Sequence, residues 1–267
     1  MISQPGSNGT TRRLNILLTE DNPVNRVLAQ KILQKQGHTV TCANNGREAV
    51  QLWEHGAPRK FDIVLMDVQM PEMDGLQATA YIREKEKESG AHIPIVAMTA
   101  HAMKGDRERC LAGGMDGYLS KPISSGGLAQ AIADALPVVA GAAGTSNSAA
   151  KGEAMDEELL ARFGGDANLL RELAELFIQA CPKMLADIRD ALQKRDAKAL
   201  ERAAHSLKGC VGNFFSQGAR ETAQQLESLG RSGELAGADE LTRLLEEQIN
   251  EFNQTLARSL ELVHQSH

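Results

Sequence analysis

Phe61-Asp62-Ile63-Val64-Leu65-Met66-Asp67-Val68-Gln69-Met70-Pro71-Glu72-Met73-Asp74-Gly75 is the stretch on which the fold turns. Its opening run, Phe61–Met66, is short, almost wholly apolar and followed by a carboxylate at Asp67. That is the pattern of a strand buried on both faces of a parallel sheet. Reading outward, comparable runs occupy Leu14–Thr19, His38–Ala43, Ile93–Met98 and Gly117–Ser120, with helical patterns between them. Strand alternating with helix from Leu14 to about Leu136 predicts βαβ units and five parallel strands. Asn22-Pro23 reads as a helix cap with proline at the first helical position, and Gly37 fits the far end of the same helix.

The chain has 267 residues, the length of two ordinary domains. With 24% charged and 42% hydrophobic residues it has the composition of a folded protein. A net charge of −6 and only 3% aromatics weigh against a nucleic-acid partner, which calls for clustered basic surface and stacking rings. Cys42, Cys110, Cys181 and Cys210 form no CxxC pair and read as reduced core residues rather than a zinc site. Neither an apolar signal segment nor a run of ~18 apolar residues is present, so no membrane span is expected and the cytoplasm is the default compartment.

Four segments follow: a flexible leader over 1–13, an α/β domain over 14–136, a linker over 137–154, and an all-α domain over 155–267. The linker reads Pro-Val-Val-Ala-Gly-Ala-Ala-Gly-Thr-Ser-Asn-Ser and onward, small and without periodicity. Beyond it, Leu169/Leu173/Leu176/Phe177, Met184/Leu185/Ile188/Leu192 and Leu241/Leu244/Leu245/Ile249/Phe252/Leu256 recur at three and four residues, the helical period. Pro182, Gly230 and Gly233 are expected to separate helices.

In an open parallel sheet, ligands sit beyond the carboxyl ends of the strands where the winding reverses. Strand one ends in Thr19-Glu20-Asp21 and strand three in Met66-Asp67, so three carboxylates converge if these strands are neighbours. Two like charges ~4 Å apart cost roughly 4 kcal/mol at an effective dielectric of ~20, which a divalent cation relieves. Oxygen-only ligands favour Mg²⁺, which keeps waters and accepts phosphate oxygens. Thr99 at the end of strand four and Lys121 after strand five add a hydroxyl and an ammonium, the donors a transferring phosphoryl group requires. Asp67 is the expected nucleophile.

Glu20-Asp21, the Asp67–Gly75 stretch, Thr99-Ala100 and Tyr118-Leu119-Ser120-Lys121-Pro122 together resemble, in order and spacing, the response-regulator receiver domain over about Leu14 to Leu136. The resemblance implies a flavodoxin-like, doubly wound five-stranded parallel sheet in the order 2-1-3-4-5, with Asp67 as phosphoacceptor. It makes Glu20, Asp21, Asp67 and the backbone carbonyl of Gln69 the Mg²⁺ ligands, and Thr99 and Lys121 the phosphate holders. Thr99 and Tyr118 fall where the family keeps its switch, and the Lys121–Pro122 bond where it commonly has a cis peptide.

In the second half, His205 stands out. At ~100° per residue, Leu200, Ala204, Leu207, Val211 and Phe214 form one buried stripe, and His205 lies about 140° from its middle beside Lys208, Gly209 and Gly212. An exposed imidazole on a face cleared by two glycines predicts close approach by a partner, with Lys208 accompanying an incoming phosphate. Cys210 lies about 140° around the helix from His205, so no Cys–His nucleophile pair is expected. His38, His55, His92, His101, His264 and His267 are read as having no such role.

His205-Ser206-Leu207-Lys208-Gly209, then Gly212-Asn213-Phe214-Phe215 and Gly218-Ala219, resemble the motif of the histidine-containing phosphotransfer (HPt) domain. The likeness extends to Leu159-Leu160-Ala161-Arg162-Phe163-Gly164-Gly165-Asp166 and implies a separate helical bundle with a four-helix core. Joined to a receiver, as in the C-terminal part of hybrid sensor histidine kinases, it implies a phosphorelay. A sensor kinase histidine lies upstream and a response-regulator aspartate downstream, with Asp67 and His205 between. No ATP-binding kinase segment is read in this chain, so it is a phosphotransfer intermediate rather than a kinase. The alternatives are a phosphorylation-independent scaffold and a Mg²⁺-dependent aspartyl-phosphate phosphohydrolase; against the latter, no second acid follows Asp67 two residues on. A coil of roughly 18 linker residues spans about 24 Å, long enough for transfer within one chain.

Overall fold

The computed structural model describes residues 12–55, 60–99, 104–136, 166–214 and 216–265. Most of the expected leader, the linker 137–154, the 159–165 part of the second motif, Ala100, His101, Phe215 and His267 lie outside the described residues.

The first half alternates β1 (Asn15–Thr19), α1 (Pro23–Lys35), β2 (Thr39–Ala43), α2 (Gly46–Glu54), β3 (Ile63–Asp67), α3 (Gly75–Ser89), β4 (Ile95–Thr99), α4 (Lys104–Ala112), β5 (Gly117–Ser120) and α5 (Ser125–Ala135). The five strands are parallel in the order β2-β1-β3-β4-β5. Observed strands begin up to two residues later than the apolar runs, because pairing rather than hydrophobicity sets their ends. β3 and β4 are buried throughout and β1 after its first residue, while the edge strands β2 and β5 are partly exposed.

Alternation along the strands divides the core in two. Ile16, Leu18, Ile63, Leu65, Val96 and Met98 face α1 and α5, whereas Leu17, Val64, Met66, Ile95 and Ala97 face α2, α3 and α4. The winding reverses between β1 and β3. Thr19 pairs with Met66, so Glu20 and Asp67 leave the sheet side by side at its carboxyl edge.

The second half contains α6 (Ala167–Gln193), α7 (Ala197–Gly212), α8 (Gln217–Ser232) and α9 (Ala238–Gln265). Its centre holds Phe177, Phe214 and Phe252, with ring centroids 5.2–6.2 Å apart. Apolar packing runs unbroken from the α1/α5 side of the sheet into this bundle.

Two expected helix breaks are absent. Pro182 lies inside α6. Its ring is exposed, and the buried face continues on both sides through Phe177, Cys181, Met184, Leu185 and Ile188, so packing outweighs the roughly 3 kcal/mol cost of an interior proline. Gly230 lies inside α8 because α7 crosses there: a Cβ would sit 2.7 Å from the Ala197 carbonyl oxygen and closer still to the Glu201 amide nitrogen. Gly233 does end α8, at φ 77°. Gly230→Ala should therefore destabilise the protein by about 1–3 kcal/mol in urea unfolding, despite alanine's better helix propensity. A neutral or stabilising result would overturn this account of the α7–α8 crossing.

Candidate functional site

Three carboxylates and one ammonium meet at the carboxyl edge of the sheet. Glu20 and Asp67 are buried and Asp21 is half-buried, and each offers an oxygen within 4.8 Å of the others. Lys121 reaches in from the β5–α5 connection, its Nζ 2.6 Å from Asp67 Oδ2 and 2.7 Å from Glu20 Oε2. The Lys121–Pro122 bond is cis. The Gln69 amide donates to Asp67 Oδ1 (3.2 Å), and Asn25 Nδ2 donates to Glu20 Oε1 (3.0 Å). Gly75 is required beneath the site, since a Cβ there would overlap the Asp67 carbonyl.

The charges are unbalanced. Burial, then the Glu20 charge, raise the Asp67 carboxyl well above its ordinary range against the opposing pull of Lys121. Burial, then Glu20, push Asp21 up to about 6. Burial disfavours the Lys121 ammonium, but Asp67 and Glu20 outweigh it and raise its pKa. Hard oxygens at this spacing, carrying more negative charge than one lysine neutralises, fit a divalent cation. Glu20 Oε2 is buried and contacts Lys121 without an aligned hydrogen bond, as suits an oxygen able to turn to a metal.

Thr99 is buried at the end of β4, where its carbonyl accepts from the Lys121 amide at 2.6 Å. Tyr118 points outward, 38% exposed, with the Arg107 guanidinium 5.5 Å from its ring centroid. Glu20, Asp21, Asp67 and Lys121 gather at one place, whereas Tyr118 faces outward.

His205 requires a correction. The stripe Leu200, Ala204, Leu207, Val211 and Phe214 is buried as the helical wheel requires, yet His205 is only 6% exposed. The wheel sees one helix, whereas the opposite face of α7 is covered by α8 and by the receiver-like half. His205 Nδ1 lies 3.0 Å from Glu227 Oε1 on α8. Lys208, also buried, donates to Glu227 Oε2 at 2.5 Å and to Gln224 at 3.0 Å, and Arg231 Nη2 reaches Glu227 Oε1 at 3.1 Å. Gly209 lies against the first half, where a Cβ would sit 3.2 Å from Asn25 Nδ2, and a Cβ at Gly212 would lie 3.8 Å from Arg220.

Burial lowers the His205 pKa, favouring the neutral ring at pH 7. Burial also lowers that of Lys208. For Glu227, burial alone would raise the pKa, but His205 and then Lys208 outweigh it and bring it to about 2. A proton on Nδ1, held by Glu227, leaves the imidazole lone pair on Nε2. Sequence reading missed Glu227. Its signal was available: Ala219, Ala223, Leu226 and Gly230 form a buried stripe on α8, and Glu227 is a charge set within it.

The two centres are joined. Asp21, Gln69, Met70, Pro71, His205 and Ser206 line a single cavity of about 320 Å³. Lys121, Lys208 and Gly209 meet around a smaller one beside it.

Residues 16–133 match the response regulator receiver domain family and residues 172–255 the Hpt domain family. The chain is 33% identical over 235 residues to the sensor histidine kinase GacS of Pseudomonas protegens, and 36% identical over 231 residues to the sensor protein GacS of Pseudomonas syringae pv. syringae. These alignments take in 85% and 82% of the chain but 25% of each relative, so the chain spans about a quarter of their length. A solved receiver domain of a sensor histidine kinase from Pseudomonas aeruginosa, with a magnesium ion in its active-site cleft, is 38% identical at a TM-score of 0.41. It covers 46% of this chain and 98% of that one.

Because the Glu227 pKa is depressed, its stabilising contribution is complete above the unfolded value near 4.5 and is lost as pH falls toward about 2. The Tm difference between the protein and Glu227→Gln should be largest near neutrality and shrink across that window. A pH-independent difference in scanning calorimetry would show that the carboxylate charge plays no part.

Proposed function

The chain belongs to the response regulator receiver family in its first half and the Hpt family in its second, and from that premise we propose that Asp67 and His205 are successive stations of a phosphorelay. A sensor kinase phosphohistidine supplies Asp67, and His205 exchanges the group with the aspartate of a separate response regulator. The observation that carries this reading is the cavity shared by His205 and the residues around Asp67. The relatives are sensor kinases, and the exchange of one phosphoryl group between two side-chain types suits a chain that holds both acceptors.

Glu20, Asp21, Asp67 and the backbone carbonyl of Gln69 would hold Mg²⁺, which when bound neutralises the acidic pocket and draws phosphoryl oxygens toward it. The chain's own groups do the rest. Lys121, 2.6 Å from Asp67 Oδ2, is placed to neutralise charge on the group that leaves, and the Thr99 hydroxyl to donate to a phosphoryl oxygen. His205 Nε2 attacks phosphorus in line as the bond from phosphorus to the Asp67 oxygen breaks. The bonding pair returns to the carboxylate, and the new P–N bond leaves positive charge on the ring. Glu227, accepting from Nδ1–H, stabilises that charge, while Lys208 and Arg231 hold Glu227 in place. Tyr118 and Thr99 are the pair through which occupancy of Asp67 would be read at the surface. No helix among the described residues is long and apolar enough to cross a membrane.

With Mg²⁺ and an acyl-phosphate donor, the chain should take up at most two phosphoryl groups, first as base-labile label on Asp67 and then as acid-labile label on His205. Asp67→Ala should abolish both, and His205→Gln should retain the first alone. Label on His205 in Asp67→Ala, or turnover of many donor equivalents, would overturn the relay in favour of direct labelling or a phosphohydrolase. No label at all would leave a scaffold.

A further inference from the structure

We infer that Glu201 is a positioning residue: by taking one side of the Arg231 guanidinium, it keeps the Glu227 oxygen that faces His205 available to the imidazole. Its effect on the ring does not depend on phosphate; its effect on phosphoryl transfer rests on the relay reading. Glu227 Oε1 has two partners, His205 Nδ1 at 3.0 Å and Arg231 Nη2 at 3.1 Å. They are unequal. A guanidinium makes charge-assisted hydrogen bonds, roughly twice as strong as those of a neutral N–H, so an Arg231 centred on Glu227 would displace the ring.

What draws it off stands on the neighbouring helix. Arg231 Nε lies 3.2 Å from Glu201 Oε1, and Nε and Nη2 form an edge of the guanidinium that can grip one carboxylate with two parallel bonds. Here that edge is divided between two carboxylates. Glu201 stands one turn before His205 on α7, and Arg231 one turn after Glu227 on α8, so the four side chains face one another across the helix pair. Helix α8 passes close over Glu201, where a Cβ on Gly230 would lie 2.8 Å from its Cα.

Glu201 is suited to the task. It is 5% exposed, and Lys198 Nζ holds its other oxygen, Oε2, at 2.6 Å. Burial would raise its pKa, but Lys198 and then Arg231 outweigh burial and lower it, so the carboxylate stays charged. The Arg231 side chain, by contrast, is half-exposed and borders a cavity of about 540 Å³ with Lys198 and Arg202, so packing leaves it room to turn. The balance between two carboxylates therefore sets where the guanidinium lies. Without charge at Glu201 the fork closes on Glu227, and Nδ1–H loses its acceptor. The neutral ring then shifts its proton to Nε2, the nitrogen that must keep a lone pair to attack phosphorus.

Ring ¹⁵N spectra of the full chain, recorded with the imidazole neutral and without phosphodonor, read the tautomer directly. The unaltered chain should show Nδ1–H and a bare Nε2. Glu201→Gln keeps the size of the side chain and removes its charge; it should move the tautomer ratio toward Nε2–H by about fivefold, the factor one net hydrogen bond sets. Passage of label from Asp67 to His205 should slow to a similar degree. Adding Arg231→Gln removes the competing donor and should return both readings to those of Arg231→Gln alone. A Glu201→Gln effect that persists undiminished in the Arg231→Gln background, as misfolding would produce, overturns the inference, and so does an unchanged tautomer ratio. A ratio that shifts as stated, in a chain whose His205 takes no label, sinks the relay reading and leaves the positioning role of Glu201 intact.

Discussion

Three carboxylates against one ammonium at the carboxyl edge of the sheet is the constraint around which the molecule is arranged. Such a cluster is costly in a buried setting, and Lys121 neutralises only part of it. The burial that lifts the Asp67 and Asp21 pKa values also makes the pocket receptive to a cation and then to phosphoryl oxygens. The fold holds the charges together regardless. Thr19 and Met66 are paired neighbours in the ladder, so Glu20 and Asp67 cannot separate without breaking β1 from β3. Gly75 locks the start of α3 against the Asp67 backbone from below.

The helical half solves the converse problem. A buried imidazole is poorly suited to carry positive charge, yet on the proposed relay it must bear some as a P–N bond forms. Glu227 supplies a counter-charge already in place, and His205 and then Lys208 keep that carboxylate ionised against its burial. Burial then favours the neutral ring that can attack, while Glu227 favours the charged ring that results.

How much of this was legible in the sequence follows from how local each feature is. The acidic pocket was readable because its carboxylates stand at the ends of apolar runs, and the parallel fold brings such ends together. The buried stripe of α7 was readable for the same reason, since periodicity belongs to a single helix. The exposure of His205 was not, because what covers it comes from α8 and from the other half of the chain. Pro182 and Gly230 were read as punctuation by their residue type alone, whereas an exposed ring on a well-packed helix and a helix crossing without room for a Cβ decide their places. Glu227 lies 22 residues from His205, and only the α7–α8 packing makes them neighbours.

Asn22 shows where sequence reading stops and three-dimensional chemistry starts. As a cap it is interchangeable with serine, threonine or aspartate, and nothing in its local pattern distinguishes them. Its second role appears only when α7 lies across the end of α1, where the amide nitrogen donates to Ser206 and an aspartate could not. The same holds for Asn25, whose local neighbour is a carboxylate and whose distant neighbour is another amide. Helix α1 therefore serves two sites at once: its first turn positions Glu20 for the acidic pocket, and its outward face receives the histidine-bearing helix. Both tasks pass through one asparagine side chain: the Asn25 amide that orients Glu20 through its nitrogen accepts from Asn213 through its oxygen.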